Sequence, residues 1–261
     1  MAFSLSDAHI DEYHRHGMTV FRQILPTTLI RDLRRVTERG RALARERSGG
    51  QAQRLQPISA FELDAKPFED YENLPELRDA LRFVLSDRHT PAGLANMGVF
   101  YEPAEAPYCT QWHRDITADS HGVDAKEFRK LTNDPTFFVQ VNCALYTDAC
   151  TWVVPGSDGR PNVAGEAEAA ANYPTLEGES NEERERRCLT YCQSMPGGVQ
   201  LILEPGDYCL YRPNGWHIGS YTPYRRRETI HSSVWKPETH AWYARWTEAR
   251  KAQRDAAPAA V

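Results

Sequence analysis

The sequence predicts a mainly β fold with flanking helices, of the sandwich or jelly-roll class. Two observations predict it: the first third of the chain carries helical patterns, and most of the rest carries short runs rich in β-branched and aromatic residues, separated by Pro and Gly. Several short strands separated by such turns are typical of a sandwich or jelly roll. A chain of 261 residues with 41% apolar content can bury one sizeable core, so we expect a single catalytic domain over residues 1–261.

Helical patterns dominate residues 1–95, which we expect to form a mostly helical outer layer. Ser6 is a suitable N-cap for a helix that ends near Gly17. Residues 27–47 place apolar side chains at helical spacing among many charges, and Pro75 begins a further helical run. Amphipathic helices of this kind pack their apolar face against a sheet.

Residues 96–236 carry the strand-like runs and are predicted to form the β core. These runs are NMGVFYEP, TFFVQVNCALYTD, TWVVPG, VQLILEPGDYCLYRPNG and ETIHSSVW. Two polar segments between them, at about 116–135 and 158–196, are too long for plain turns and are predicted to be lids or binding loops. Residues 237–261 are predicted to form a C-terminal helix and a tail.

Composition and charge exclude several classes of partner. Lys and Arg number 31 against 36 Asp and Glu, and the net charge of -5 gives no attraction to nucleic acid. The first residues lack the basic start and apolar run of a secretory signal, and no apolar stretch reaches membrane-spanning length. We therefore expect a cytoplasmic protein, monomeric or homodimeric, that has no membrane partner and whose six cysteines are reduced.

The segment QWHRD places two candidate metal ligands on one face of an extended chain. His113 and Asp115 are two residues apart, and on a strand such residues point to the same side. His217, in YRPNGWHIGS, is a third candidate from a different strand. Two histidines and one carboxylate make the facial triad of non-haem iron(II) oxygenases, which leaves positions open for an oxoacid and O2.

An arginine cluster follows His217, in YRRRETIHSSVW, and strengthens this interpretation. Arginine offers a planar pair of donors that matches a carboxylate, as the far end of 2-oxoglutarate requires. Arg227 directly enters the strand, and Thr229 shares its face and can bond the same carboxylate. Arg225 and Arg226 are expected to be turn and surface charges.

These segments resemble the phytanoyl-CoA dioxygenase-like branch of the iron(II)/2-oxoglutarate oxygenases. The resemblance covers most of the chain, through YHRHGMTVFRQIL, QWHRD, VNCALYTDACTWVVPGSD, LEPGDYCLYRPNGWHIGS and RRRETIH. It implies a double-stranded β-helix core, a distorted jelly roll, with iron on His113, Asp115 and His217 and oxoglutarate on Arg227. Asn142 occupies a position that often faces the cosubstrate in this family, although a buried Asn bonded to the backbone is an alternative.

Two departures from the family pattern indicate a specialised pocket. Asp158 follows the Pro-Gly-Ser turn, where the family commonly has His, and Trp152 stands where a smaller or aliphatic residue is usual. Gln111 and Trp152 flank the metal-bearing and turn segments and are candidate substrate contacts. Packing in the core is the alternative for an aromatic residue beside a strand.

The resemblance implies an enzyme of secondary metabolism. Such a dioxygenase uses Fe(II), 2-oxoglutarate and O2 to hydroxylate or otherwise oxidise a small molecule, and it releases succinate and CO2. A carboxylate at Asp115 favours hydroxylation, because related halogenases have a small residue there. Two alternatives stay open: a cupin-type metalloenzyme without 2-oxoglutarate, which has no use for Arg227, and a non-catalytic metal- or ligand-binding jelly roll.

Overall fold

The computed structural model describes residues 3–49, 53–117 and 124–256, which fold into helices and antiparallel strands. The helices are α1 (Asp7–His16), α2 (Thr27–Ser48), α3 (Lys66–Glu72), α4 (Pro75–Val84), α5 (Ala125–Thr132), α6 (Glu166–Ala171), α7 (Asn181–Gln193) and α8 (Pro237–Ala256). The strands are β1 (Met18–Phe21), β2 (Gln53–Leu55), β3 (Thr90–Pro91), β4 (Gly98–Tyr101), β5 (Tyr108–Cys109), β6 (Gln140–Ala144), β7 (Asp148–Val153), β8 (Val199–Leu203), β9 (Tyr208–Tyr211), β10 (His217–Tyr221) and β11 (Glu228–Trp235).

The strands form two sheets. Seven strands make the large sheet, in the order β1-β9-β6-β11-β4-β2 with β3 paired to β11, and the small sheet has the order β5-β10-β7-β8. All neighbouring strands are antiparallel. From β6 onward the chain passes repeatedly from one sheet to the other, so residues far apart in sequence meet between the sheets.

The predicted helices at Ser6, in residues 27–47 and at Pro75 are present as α1, α2 and α4. Ser6 and His9 form a capping box at the start of α1, and Gly17 ends the helix with φ of 71°. A Cβ at Gly17 would also overlap the carboxylate of Asp158. Both the backbone conformation and the close approach therefore require glycine at this position.

The first 95 residues contribute more than an outer helical layer. They also supply β1, β2 and β3, which belong to the large sheet. These strands are two to four residues long, too short for a two-residue period to be visible in the sequence. The segments predicted as loops contain helices too, because α5 falls within 116–135 and both α6 and α7 fall within 158–196. Residues 118–123 and the predicted tail at 257–261 lie outside the described residues.

The main core fills the space between helices α1 to α4 and the large sheet. Its fully buried side chains include Tyr13, Phe21, Leu33, Leu81 and Val99. A second cluster lies where α6 and α7 cover the small sheet. A cavity of about 440 Å³ lies between the two sheets and is lined by the faces that they turn toward each other.

Two expectations from composition concern the cysteines and the membrane. All six cysteines are free thiols, and five of them are buried. No described helix combines the length and the apolar surface needed to cross a bilayer.

Candidate metal and cosubstrate site

A reciprocal backbone pair joins the two histidine segments, although they are 104 residues apart (113 to 217). The His113 N–H donates to the His217 carbonyl at 3.1 Å, and the His217 N–H donates to the His113 carbonyl at 3.0 Å. The Asp115 N–H donates to the Pro213 carbonyl at 2.9 Å. These bonds hold both imidazoles and the carboxylate at one place between the sheets.

Both imidazoles turn the same nitrogen toward Asp115. Nε2 of His113 lies 3.2 Å from one carboxylate oxygen of Asp115, and Nε2 of His217 lies 3.5 Å from the other. Nδ1 of His113 bonds the Gln111 carbonyl at 2.6 Å, and Nδ1 of His217 bonds the Gly215 carbonyl at 2.9 Å. Because a carbonyl only accepts, this assigns a proton to each Nδ1 and leaves each Nε2 available to a cation.

The three side chains fit a divalent transition metal. Their ligand atoms all lie within 4.8 Å of one another. Burial acts to raise the pKa of Asp115, but the hydrogen bonds with His113 and His217 hold that pKa far below its usual value. Burial acts to lower the pKa of His113, but Asp115 and the bond to the Gln111 carbonyl together hold that pKa above its usual value. Two imidazole nitrogens and one ionised carboxylate are the donor set that suits iron(II) with open positions.

The turn after β7 braces the segments that carry the triad. The guanidinium of Arg114 donates to the Ser157 carbonyl at 2.7 Å and lies 4.8 Å from the centre of the Trp216 ring. The Ser157 hydroxyl accepts a bond from the Trp216 N–H at 2.8 Å. Asp158, the departure from the family pattern, forms a buried ion pair with Arg212. Its carboxylate therefore fixes the chain just ahead of the distal histidine.

Arg227 lines the same cavity as the triad. Its Nε donates to Asp148 at 2.9 Å, and both side chains are nearly fully buried, at 5% and 3% exposed. The guanidinium lies 5.2 Å from the Phe100 ring centre and 4.9 Å from the Tyr221 ring centre. Burial acts to lower the pKa of Arg227, but Asp148 holds it well above its usual value. Arg227 is thus a rigid cation with a counter-charge behind it.

Thr229 shares the strand face of Arg227, but its side chain makes a different contact from the one predicted. Its hydroxyl donates to the same oxygen of Asp148 that Arg227 bonds, and Thr229 does not line the cavity. The Cys150 N–H donates to the other oxygen of Asp148 at 2.8 Å. Thr229 therefore supports Arg227 through a shared carboxylate. Sequence reasoning missed Asp148, because nothing in the run YTDACTW marks that aspartate as buried.

Asn142 lies in the cavity wall beside a histidine that sequence reasoning did not single out. Asn142 Oδ1 accepts a bond from Nδ1 of His231 at 3.0 Å, and the His231 ring stacks on Phe100 at 4.7 Å. Burial lowers the pKa of His231 to about 3, so this imidazole is neutral at pH 7. The signal was available in β11 and the residue before it, because Arg227, His231 and Ser233 are even numbers of residues apart and so share the face that lines the cavity.

The structure places the two candidate substrate contacts outside the cavity. Gln111 is exposed, and its amide donates to the Ala170 carbonyl at 3.2 Å. Trp152 is buried in the cluster that α6 and α7 make with the small sheet. Because neighbouring residues of an extended chain face opposite sides, Thr110 and Thr151 line the cavity instead. In each segment, the residue just before the candidate is therefore the one whose side chain reaches the cavity.

Only the first of the predicted lids reaches the cavity in the part of the chain that the structure describes. Ile116 lines it, and α5 contributes Phe128 and Leu131 to an apolar cluster with Phe138 and Trp242. No residue of 158–196 lines the cavity, because this segment packs around the small sheet.

No protein-family model matches this chain, and no curated protein sequence matches it significantly. Among solved structures it is similar to AviO1 from Streptomyces viridochromogenes Tue57, with TM-score 0.60 and 16% identity over 91% of this chain and 97% of that one. It is similar to SnoN, a non-haem α-ketoglutarate-dependent epimerase from nogalamycin biosynthesis, solved with Fe3+, α-ketoglutarate and nogalamycin RO (TM-score 0.54, 13% identity, 88% of this chain and 83% of that one). It is also similar to EctD from S. alaskensis with 2-oxoglutarate and 5-hydroxyectoine (TM-score 0.54, 16% identity, 90% of this chain and 77% of that one). The chain therefore shares the fold of these structures.

Proposed function

We propose that this chain is an Fe(II)- and 2-oxoglutarate-dependent dioxygenase that hydroxylates, or otherwise oxidises, a small-molecule metabolite. The observation that carries the proposal is one cavity that holds both a His-Asp-His group and a buried arginine with its own counter-charge. The named ligands of SnoN and EctD favour the same class. We assign the two-sheet core to the double-stranded β-helix, or jelly-roll, class and the chain to the phytanoyl-CoA dioxygenase-like branch.

His113, Asp115 and His217 would hold the iron. Each histidine offers Nε2, while its Nδ1 proton is fixed on a backbone carbonyl, which sets both the tautomer and the ring orientation. Bound iron, with oxoglutarate and O2, supplies the oxidising chemistry and releases succinate and CO2. The chain itself supplies the ligand set, the orientation of the bound molecules and a wall that limits water.

Arg227 would bind the carboxylate of oxoglutarate that does not chelate the metal. A guanidinium can offer two parallel donors to a carboxylate, and Arg227, which lines the cavity, bonds Asp148 through Nε. Asn142 and neutral His231 add polar groups without adding charge to the same wall. Cupins do not need such an arginine, so Arg227 favours an oxoglutarate enzyme over a cupin-type metalloenzyme.

Anaerobic titration with Fe(II) and 2-oxoglutarate tests the proposal. A weak visible charge-transfer band should appear with the wild-type protein and be absent from His113→Ala and Asp115→Ala. His14→Ala, an exposed histidine of α1, is the matched control and should retain the band. A folded wild-type protein without the band would contradict the proposal and favour a non-catalytic jelly roll. Metal binding without oxoglutarate binding would favour a cupin-type enzyme.

A further inference from the structure

We infer that the substrate is a ring-bearing anion, whose ring packs on an aromatic wall of the cavity and whose anionic group pairs with Arg54. The inference rests on the proposed function only in calling this ligand the substrate. Its observations concern cavity residues other than the three proposed metal ligands and Arg227.

One wall of the cavity is a row of aromatic rings, to which α8 contributes most. Neighbouring ring centres in this row are 4.7 to 6.0 Å apart. Its members, named here as the aromatic row, are Phe138, Trp235, Trp242, Tyr243 and Trp246. Tyr243 is 37% exposed although it lines the cavity, whereas Trp242 is 5% exposed. The Tyr243 ring therefore offers surface on which the ring of a ligand can stack.

Arg54 of β2 is the second arginine of this cavity. Arg227 has Asp148 as its partner, whereas no acidic side chain of the described residues lies within ion-pair distance of Arg54. The guanidinium of Arg54 donates to the neutral amide of Gln56 and lies 4.8 Å from the Phe100 ring centre. Arg54 is an exposed residue that lines the cavity. A cation at the mouth of a cavity without a counter-charge favours an anionic ligand.

The position of Arg54 is fixed in advance by its neighbours. The Gln56 amide bridges Arg54 to the Asn96 carbonyl. The Gln56 side chain lies against Gly98, where an added Cβ would come within 2.7 Å of it. A side chain held in this way loses little freedom when it binds a ligand, so the binding free energy is more favourable.

The anion site and the aromatic row open onto one cavity. Arg54, Asp115 and Tyr243 all line it, so one molecule can reach Arg54, the metal-binding group and the row. The cavity of about 440 Å³ is in the range of small-molecule sites, roughly 300–1,000 Å³. Oxoglutarate has two carboxylates, one for the metal and one for Arg227. Arg54 is therefore available to pair with the anionic group of the substrate.

Calorimetric titration with three probes tests the inference: 1-naphthaleneacetate has ring and charge, 1-naphthaleneacetamide has the ring alone, and hexanoate has the charge alone. We expect naphthaleneacetate to bind at least tenfold more tightly than either of the others. The titrations are made on the metal-free protein and on protein loaded with redox-inert Mn(II) and oxoglutarate. They require no turnover, so a missing iron(II)-oxoglutarate band would reject the proposed function without deciding this result.

Variants separate the contribution of the Arg54 charge to probe binding from that of the Tyr243 ring. Arg54→Gln should remove the preference for acid over amide and leave oxoglutarate affinity within twofold. Tyr243→Ala should weaken both ring probes and leave hexanoate unchanged. Arg47→Gln is the matched control, because Arg47 also lies over a phenylalanine ring, at 4.4 Å from Phe61, but does not line the cavity. Equal binding of acid and amide by the wild-type protein, or no binding of any probe, would overturn the inference. An equal loss of oxoglutarate and naphthaleneacetate binding in Arg54→Gln would also overturn it.

Discussion

Asp148 shows how much of a site can depend on one residue behind the cavity wall. Its carboxylate accepts bonds from the Arg227 guanidinium, the Thr229 hydroxyl and the Cys150 N–H. Burial acts to raise the pKa of Asp148, but Arg227 holds it below the usual value, so the carboxylate stays ionised. It therefore orients Arg227 and neutralises its charge.

Asp148→Asn keeps the shape of the side chain and removes its charge. We expect the Kd for oxoglutarate to rise about tenfold or more, because a hydrogen bond to a charged group contributes about 1.5–3 kcal/mol. Anaerobic oxoglutarate titration measures this change, with Asp87→Asn, an exposed aspartate, as the control. Unchanged or tighter oxoglutarate binding would show that Asp148 does not position Arg227.

Replacing each of the three adjacent arginines should change the oxoglutarate requirement to a different extent. Arg227→Gln should raise the oxoglutarate requirement strongly, because its guanidinium is buried in the cavity wall. Arg225→Gln should change it little, because Arg225 is 59% exposed and pairs with Glu185 at 3.1 Å. Arg226 pairs with Glu228 at 2.9 Å, and its replacement should also leave oxoglutarate binding intact. Steady-state succinate release against oxoglutarate concentration distinguishes the three, and the reverse order would mean that Arg227 does not contact oxoglutarate.

At the scale of elements, the pairing of β2 with β4 depends on Gly98. We expect Gly98→Ala to lower the free energy of unfolding by about 1–3 kcal/mol, because the new Cβ overlaps Gln56. Gly159→Ala is the control and should stay within about 0.5 kcal/mol, because nothing lies within 4 Å of its added Cβ. Urea denaturation measures both variants. Equal stability of Gly98→Ala and the wild-type protein would show that Gln56 can move aside without loss.

The sequence best predicts the helices and strands that are long enough to show a repeating pattern of apolar residues. The 22 residues of α2 show several helical turns, and the eight residues of β11 form a run long enough to predict a strand. The two residues of β3 show no period, and only pairing with β11 makes them a strand. The same holds at the site: His113 and Asp115 are predictable because spacing sets their common face. Asp148 contacts Arg227 and Thr229 across the two sheets, and Arg54 reaches the cavity beside Phe100 of the neighbouring strand; no local pattern encodes either position.

Across the whole molecule, a buried ion network ties the outer helix α2 to the cavity wall. Arg41 of α2 pairs with Glu102 and, at 2.6 Å, with Glu228. Glu102 in turn accepts a bond from the Arg227 N–H at 2.8 Å, and Arg41 bonds the Arg227 carbonyl at 3.3 Å. The helical layer therefore supports the start of β11 and Arg227 just ahead of it, the residue proposed to bind oxoglutarate.

Arg41→Met removes the buried cation that joins Glu102 and Glu228, which then keep only the more exposed Arg45 and Arg226 as partners. We expect the free energy of unfolding to fall by about 3–5 kcal/mol, as when one partner of a buried ion pair is removed. Arg31→Met on the same helix breaks only an exposed pair with Asp32, and should cost at most about 1 kcal/mol. Thermal and urea denaturation test both variants, and similar losses in the two would show that the network adds no stability.

The backbone pair between His113 and His217 has a consequence for folding. An unfolded chain holds these residues on separate segments 104 positions apart, so a complete ligand set exists only when both sheets have formed. A metal ion then binds the native state alone, and at a hundredfold excess over its Kd it adds about 2.7 kcal/mol to the free energy of unfolding. Redox-inert Mn(II) should raise the Tm of the wild-type protein and leave that of His113→Ala unchanged. The lifetime of the folded protein would then follow the supply of free metal around it.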